Sequence, residues 1–197
     1  MPYVRPTRAA YNEVVFRFWV LLASAATALL AGCAPRGSPA PDFTLVADSG
    51  APWTLSAQRG KAVLLTFGFS HCADTCPATL AKLAHLAKTR LGARASDVEI
   101  VMVTVDPKRD TPAVLHDFVG RFDGPVVGLT GTPSRIRGVE RAYHVWAQPL
   151  PPKRGGGYDV VHGAEIYLID AGGRLRGVRE DDESEAAIAG AVRAILG

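Results

Sequence analysis

From residue 61 onward the apolar positions fall into two alternating rhythms. Lys61 to Phe69 carries an unbroken Ala-Val-Leu-Leu-Thr-Phe run, the mark of a strand buried on both faces and hence central in its sheet. Behind Pro77, whose missing N–H is harmless in a first turn, Leu80, Leu83, Ala84, Ala87 and Leu91 recur at helical spacing and predict a helix over 77–91. Val98 to Val105 predicts a second buried strand. Thr111-Pro112 opens a helix with Leu115, Phe118, Val119 and Phe122 as its apolar stripe. Val126 to Leu129 predicts a short strand, and a helix from Pro133 turns Ile136, Val139 and Tyr143 inward. Pro149 to Gly157 then breaks every rhythm. Glu165 to Ile169 and Leu175 to Val178 flank Asp170-Ala171-Gly172-Gly173 and read as a hairpin. A last helix over 183–196 buries Ala187, Ala191, Val192 and Ile195.

A parallel βαβ arrangement followed by a terminal hairpin and helix makes an α/β protein with a central mixed β-sheet flanked by helices, the order of a thioredoxin-like fold. Upstream the pattern changes in kind. Arg17 precedes the apolar run Phe18 to Gly32, the order of a positive n-region and an h-region. At about 15 residues that run is short against the roughly 20 that span a bilayer. It ends in Leu30-Ala31-Gly32-Cys33, which resembles the lipobox of bacterial lipoproteins and implies that Cys33 is lipidated and becomes the mature N-terminus. The plainer alternative is an uncleaved anchor with an incidental cysteine. Residues 1–32 thus read as a lipoprotein-type signal peptide. Residues 33–41, with Pro35, Gly37, Ser38, Pro39 and Pro41, read as a lipidated N-terminus and Pro-rich tether, and 42–197 as the folded domain. Such a protein sits in the bacterial cell envelope, held to a membrane by lipid and facing the periplasm.

With 48% apolar and 21% charged residues, the 197-residue chain fits one globular domain plus an appendage and excludes a disordered or collagen-like polymer. The formal charge of +3 is concentrated in the leader, where Arg5, Arg8 and Arg17 face only Glu13. The remaining near-neutral domain offers no argument for nucleic acid. Three cysteines are too few for a disulfide-stapled fold or a zinc array, so each is read individually.

Two of them carry the chemistry. Cys72 and Cys76 stand in Phe69-Ser70-His71-Cys72-Ala73-Asp74-Thr75-Cys76-Pro77, the turn between the central strand and the following helix. A helix N-terminus brings free N–H groups and partial positive charge, which favour thiolate over thiol. The Cys-x3-Cys spacing lets both sulfurs converge on one ion, and it also permits a disulfide. Cys72 and Cys76 are therefore candidates for a metal site or a redox pair.

The blocks Pro41-Asp42-Phe43, Thr66 to Pro77, Asp106-Pro107-Lys108-Arg109-Asp110-Thr111-Pro112, Gly128-Leu129-Thr130-Gly131, and His162 ahead of Tyr167-Leu168-Ile169-Asp170 together resemble the SCO/SenC copper proteins. These are thioredoxin-fold factors for cytochrome c oxidase assembly. The resemblance runs from about Pro41 to Ile195 and implies that Cys72, Cys76 and His162 hold copper, as Cu(I) and as Cu(II). It implies partners in the copper-site subunit of cytochrome c oxidase and in other periplasmic copper or thiol-redox proteins. Soft thiolates suit Cu(I) and imidazole suits either state, whereas a structural zinc site would want a fourth protein ligand that the sequence does not offer. The chain departs from the family at Ala73, where proline is common, and at Val161 and Gly163, where Asp and Ser often flank the histidine. Those departures put the imidazole's supporting contacts in question.

The remaining candidates read mainly as structural: His85 and His116 on helix flanks, His144 after a helix, His71 beside a ligand but diverging from it, Asp74 holding its loop through backbone N–H groups, and Asp106 and Asp110 as turn and capping residues. Asp106, at a strand end near the site, keeps a claim to support the metal ligands. Gly155-Gly156-Gly157 is followed by no Lys-Ser/Thr and is no phosphate loop. Four functions compete: copper metallochaperone, thiol:disulfide oxidoreductase keeping the oxidase cysteines reduced, redox or copper sensor, and peroxidase. The last lacks its Pro-x3-Thr/Ser-x2-Cys pattern ahead of Cys72.

Overall fold

The computed structural model describes residues 37–197; the signal peptide, Cys33 and the first part of the tether lie outside them. The strands are β1 (Ser38–Pro39), β2 (Thr44–Ala47), β3 (Pro52–Thr54), β4 (Ala62–Gly68), β5 (Val98–Thr104), β6 (Val126–Thr130), β7 (Ala147–Pro149), β8 (Val160–His162), β9 (Ile166–Ile169) and β10 (Arg174–Arg179). The helices are α1 (Thr75–Arg90), α2 (Pro112–Val119), α3 (Pro133–Ala142) and α4 (Glu185–Leu196). Among the described residues no helix is long and apolar enough to cross a membrane.

Every residue of β4 is buried, which is why its sequence shows no alternation. Val63, Leu65, Phe67 and Phe69 enter one apolar cluster, and Ala62 and Leu64 enter the other. Helices α1, α2 and α4 supply the second cluster, while α3, β2, β3 and β8 cover the first. The eight-stranded sheet runs β1-β10-β9-β4-β5-β6-β2-β3, with β4, β5 and β6 parallel and the other pairings antiparallel, as a mixed sheet requires. Strands β7 and β8 form a separate antiparallel pair. The loops that leave the carboxyl ends of β4 and β5 meet at one edge of the sheet, the usual location of sites in open α/β sheets.

Several boundaries differ from those the sequence predicts. Helix α1 starts at Thr75 rather than Pro77, so Cys76 lies inside its first turn. Proline is tolerated there because the opening N–H groups of a helix have no intrahelical partner. Residues of the expected tether are already in the sheet: Ser38 pairs with Leu175, Pro39 with Arg174, and Ala40 N–H donates to the Gly173 carbonyl at 3.1 Å. Proline suits such an edge strand, and Gly37 permits the approach, since a Cβ there would lie 2.0 Å from the Leu175 carbonyl oxygen. In α4 the Ser184 hydroxyl caps Ala187 N–H and turns Ile188, Ala189 and Val192 inward, leaving Ala187 exposed, against expectation. Phe122 lies beyond α2 and packs edge-on against Phe118.

Helix α3 ends in a Schellman turn, with His144 N–H donating to Arg141 O and Val145 N–H to Glu140 O. His144 takes the left-handed position of that turn, at φ 58°. Tyr143 sits just before it in the core, donating its hydroxyl to Pro41 O and accepting from the Tyr167 hydroxyl at its own carbonyl. Burial pushes the Tyr143 phenol far up and that of Tyr167 up to about 12.

Candidate metal centre

The Cys-x3-Cys turn bridges β4 and α1. A tight turn, Cys72 N–H to Phe69 O at 3.2 Å, lifts Cys72 to a half-buried position, whereas Cys76 sits in the helix and is 5% exposed. Both are free thiols. Asp74 occupies the N-cap of α1 without a side-chain cap bond, so it does not hold the loop through backbone N–H groups as expected. Cys72 Sγ instead accepts the Cys76 N–H at 3.4 Å, presenting a helix N-terminal donor to that sulfur. The expected lowering fails for Cys76, because burial and the hydrogen bond with Cys72 push its thiol strongly up. Desolvation outweighs the helix end here. Gly68 makes room beneath, since a Cβ there would meet Met102 Sδ at 3.1 Å and Cys76 Sγ at 3.2 Å.

His162 arrives from β8, 86 residues further on, with Nε2 3.5 Å from Cys76 Sγ. Its Nδ1 lies 2.6 Å from the Gly163 carbonyl oxygen. A carbonyl only accepts, so Nδ1 carries the proton and Nε2 turns its lone pair toward the sulfur. The Phe69 ring meets the imidazole edge-on, centroids 5.8 Å apart. The support that Val161 and Gly163 seemed to lack therefore comes from backbone and from Phe69, which makes the flanking side chains dispensable for orientation. Among the described residues no three His, Cys, Asp or Glu close into a metal cage. Cys76 is the hub, touching Cys72 on one side and His162 on the other. In front of Cys72 and His162 lies a recess of about 310 Å³, lined also by Asp74, Lys153, Asp159 and Val161 but not by Cys76. A larger recess, about 420 Å³, lies across the hairpin between Lys108, Arg137, Glu140 and Leu150, and holds no thiol or imidazole.

A family model described as SCO1/SenC matches residues 34–197. The chain belongs to the SCO1/SenC family. The mitochondrial SCO1 homolog of Mus musculus is 35% identical over 153 residues, covering 77% of this chain and 54% of the mouse protein. SCO1 homolog 1 of Arabidopsis thaliana is 37% identical over 139 residues, covering 71% and 40%. The chain thus spans about half the length of these relatives. The solved structure of Bradyrhizobium japonicum ScoI with copper bound superposes with a TM-score of 0.73 at 32% identity, covering 81% of this chain and all of that one. The fold is accordingly thioredoxin-like, as the order of elements predicts.

Elsewhere in this SCO1/SenC protein, His85, His116 and His144 are exposed and remote in role. His85 binds Glu185 and His116 binds Asp48, each a tie between elements. His71 turns from the sulfurs toward Ser70 Oγ, at 2.9 Å, and lies 3.8 Å from Asp110. Asp110 does more than cap a turn. Fully buried, it accepts Ser70 N–H, Ser70 Oγ and the Thr104 hydroxyl, tying the thiol loop to the end of β5. Asp106 likewise reaches past its turn, binding Arg109 Nε and the Tyr158 hydroxyl. Desolvation and the Asp106 carboxylate push that phenol upward, so it remains a donor. Sequence reasoning passed over Ser70, Arg109 and Tyr158. An arginine between two aspartates and a lone aromatic within Lys153-Arg154-Gly155-Gly156-Gly157-Tyr158 were the available signals.

Proposed function

We propose that this protein is a copper metallochaperone, with Cys72, Cys76 and His162 as the ligands of its cargo and the dinuclear copper site of a terminal cytochrome oxidase as the destination. The observation that carries the reading is the Nε2 lone pair of His162 directed at Cys76 Sγ across 3.5 Å, with the second thiol beside it. Two thiolates and a neutral imidazole give a site of net charge −1 with Cu(I) and neutral with Cu(II), so one donor set accommodates both states. Cys72 and His162 face a solvent-open recess, with buried Cys76 adjoining them, which leaves space for a recipient's ligands. The copper-bound Bradyrhizobium japonicum relative supports copper as the metal. Residues 1–32 serve as a lipoprotein signal, and Cys33 carries the lipid that tethers the domain, whose sheet begins at Ser38, to the membrane, facing the periplasm.

A second reading, thiol:disulfide exchange toward the oxidase's copper-ligand cysteines, draws on the half-buried Cys72 beside buried Cys76, an attacking sulfur with a resolving partner. His162→Ala separates the two. The reduced protein should bind about one copper per chain, lost in Cys72→Ser and Cys76→Ser. His162→Ala should lose Cu(II) and its sulfur-to-copper charge-transfer bands while keeping both thiols reactive. Loss of oxidase copper-site assembly in cells carrying this variant, with thiol reduction intact, is the expected result. Full assembly would overturn the chaperone reading, as would unchanged Cu(I) affinity in the double serine variant.

A further inference from the structure

The hairpin that brings His162 to the dithiol is held to the domain by remarkably few polar links. Strands β7 and β8 form their own two-stranded pair of three residues each, outside the main sheet, and such a pair is marginal alone. Among the described residues two side-chain hydrogen bonds leave residues 147–163 for the rest of the domain. One is the His162 contact with Cys76; the other runs from the Tyr158 hydroxyl to Asp106 Oδ1 at 2.8 Å.

That second link is embedded in a stack. Asp106, 4% exposed at the end of β5, also accepts from Arg109 Nε. The Arg109 guanidinium carbon lies 3.8 Å above the centroid of the Tyr158 ring and 5.7 Å from that of Phe69. Phe69 in turn meets the His162 ring edge-on. A cation between two aromatic faces is attracted to both, and more strongly where water is excluded. The stack therefore joins the rigid end of β5 to the hairpin at Tyr158 and to the imidazole through Phe69.

We propose that Asp106, Arg109 and Tyr158 are positioning residues that latch the His162 hairpin over the dithiol and so set the reach of the imidazole to the metal. The proposal rests on the reading of Cys72, Cys76 and His162 as copper ligands. Without the latch the thiols keep their places on β4 and α1 while the imidazole wanders. Binding that depends on His162 then suffers, and binding that two sulfurs satisfy does not. Cu(II) should be the sensitive state and Cu(I) the tolerant one.

The test uses the full chain with Tyr158→Leu, Arg109→Gln and Tyr158→Phe, against wild type and His162→Ala. In the metal-free protein, amides 160–163 should exchange hydrogen about 10-fold faster in Tyr158→Leu and Arg109→Gln, with those of β4 and α1 unchanged. Cu(II) affinity should fall about 10- to 100-fold, and Cu(I) affinity by less than about 3-fold. Tyr158→Phe, which keeps the stacked ring and loses the bond to Asp106, should fall between Tyr158→Leu and wild type in both exchange and Cu(II) affinity. Unchanged exchange at 160–163 in Tyr158→Leu overturns the latch whatever copper does. Faster exchange throughout β4 and α1, with Cu(I) and Cu(II) lost together, also overturns it in favour of general loosening. Failure of the ligand reading has its own signature: wild type and His162→Ala then bind Cu(II) alike, and the role in metal reach falls with it.

Discussion

Asp110→Ala should be among the costliest single substitutions in this domain, although the residue touches neither thiol. Its carboxyl oxygens accept Ser70 N–H at 3.0 Å, Ser70 Oγ at 2.5 Å and Thr104 Oγ1 at 2.6 Å, from a side chain with no solvent exposure. Alanine removes all three acceptors, but not all three losses count. The Ser70 hydroxyl can turn to His71 Nδ1, 2.9 Å away. The Thr104 hydroxyl, in a fully buried residue, and the Ser70 N–H have no alternative acceptor among their bonds. The buried Thr104 hydroxyl left unsatisfied costs about 1–3 kcal/mol and the half-buried Ser70 N–H about 1 kcal/mol, so the pair costs about 2–4 kcal/mol. Against a total stability of about 5–15 kcal/mol this is a large fraction. A loss at the upper end, about 4 kcal/mol, lowers the melting temperature by roughly 8–16 °C in a domain of this size. Asp110→Asn retains one oxygen for Ser70 N–H and Thr104 and offers its amide hydrogens to Ser70 Oγ, so about 1–2 kcal/mol is expected. Urea unfolding followed by tryptophan fluorescence measures both, with a constant m-value required for the comparison. Equal midpoints for the Ala and Asn variants, or an Ala variant within about 1 kcal/mol of wild type, would refute the satisfied-donor account.

Two further substitutions probe other parts of the scaffold. His144→Gly should raise stability by about 1 kcal/mol, because a side chain at φ 58° pays a left-handed penalty that glycine avoids. A melting temperature at or below that of wild type would contradict this. Raised phenol pKa values make the fold sensitive to alkali: the unfolded chain ionises Tyr167 near its ordinary 10.0, the folded chain only near about 12, so stability present below pH 10 is lost as pH rises between these values. Tyr167→Phe should flatten that decline in urea midpoints, and an unchanged slope would remove Tyr167 as its cause.

How much of this was legible varied with the physical range of each signal. The central strand was plain because burial on both faces leaves a continuous apolar run, and the paired thiols were plain because their spacing is local. Helix α1 starts two residues before the position Pro77 predicts, because a helix also accepts proline a little later in its first turn. Strands β1, β2, β3, β7 and β8 have two to four residues each, too few for periodicity to register. His162 was reached only through family resemblance, since nothing local ties it to a sulfur 86 residues away. The Tyr158, Arg109 and Asp106 cluster was missed for the same reason: its members look like loop residues until the hairpin folds back over β5.

The asymmetry of the two cysteines bears on function less than it first suggests. A buried thiol with its pKa pushed up beside a half-buried one suits disulfide exchange, in which the outer sulfur attacks and the inner one resolves. It suits a soft cation equally, because a bound metal supplies the positive charge whose absence makes a buried thiolate costly, and so removes the penalty that burial imposes on Cys76. The thiols alone leave both chemistries standing. The proposed chaperone role adds His162, whose Nδ1–H is spent on the Gly163 carbonyl so that only the Nε2 lone pair faces Cys76. In exchange that lone pair has one task, accepting the Cys76 proton. In the proposed metal site it is a third ligand, and placement by a carbonyl, an aromatic edge and a latched hairpin matters more to a ligand than to a proton acceptor, which tolerates far looser placement.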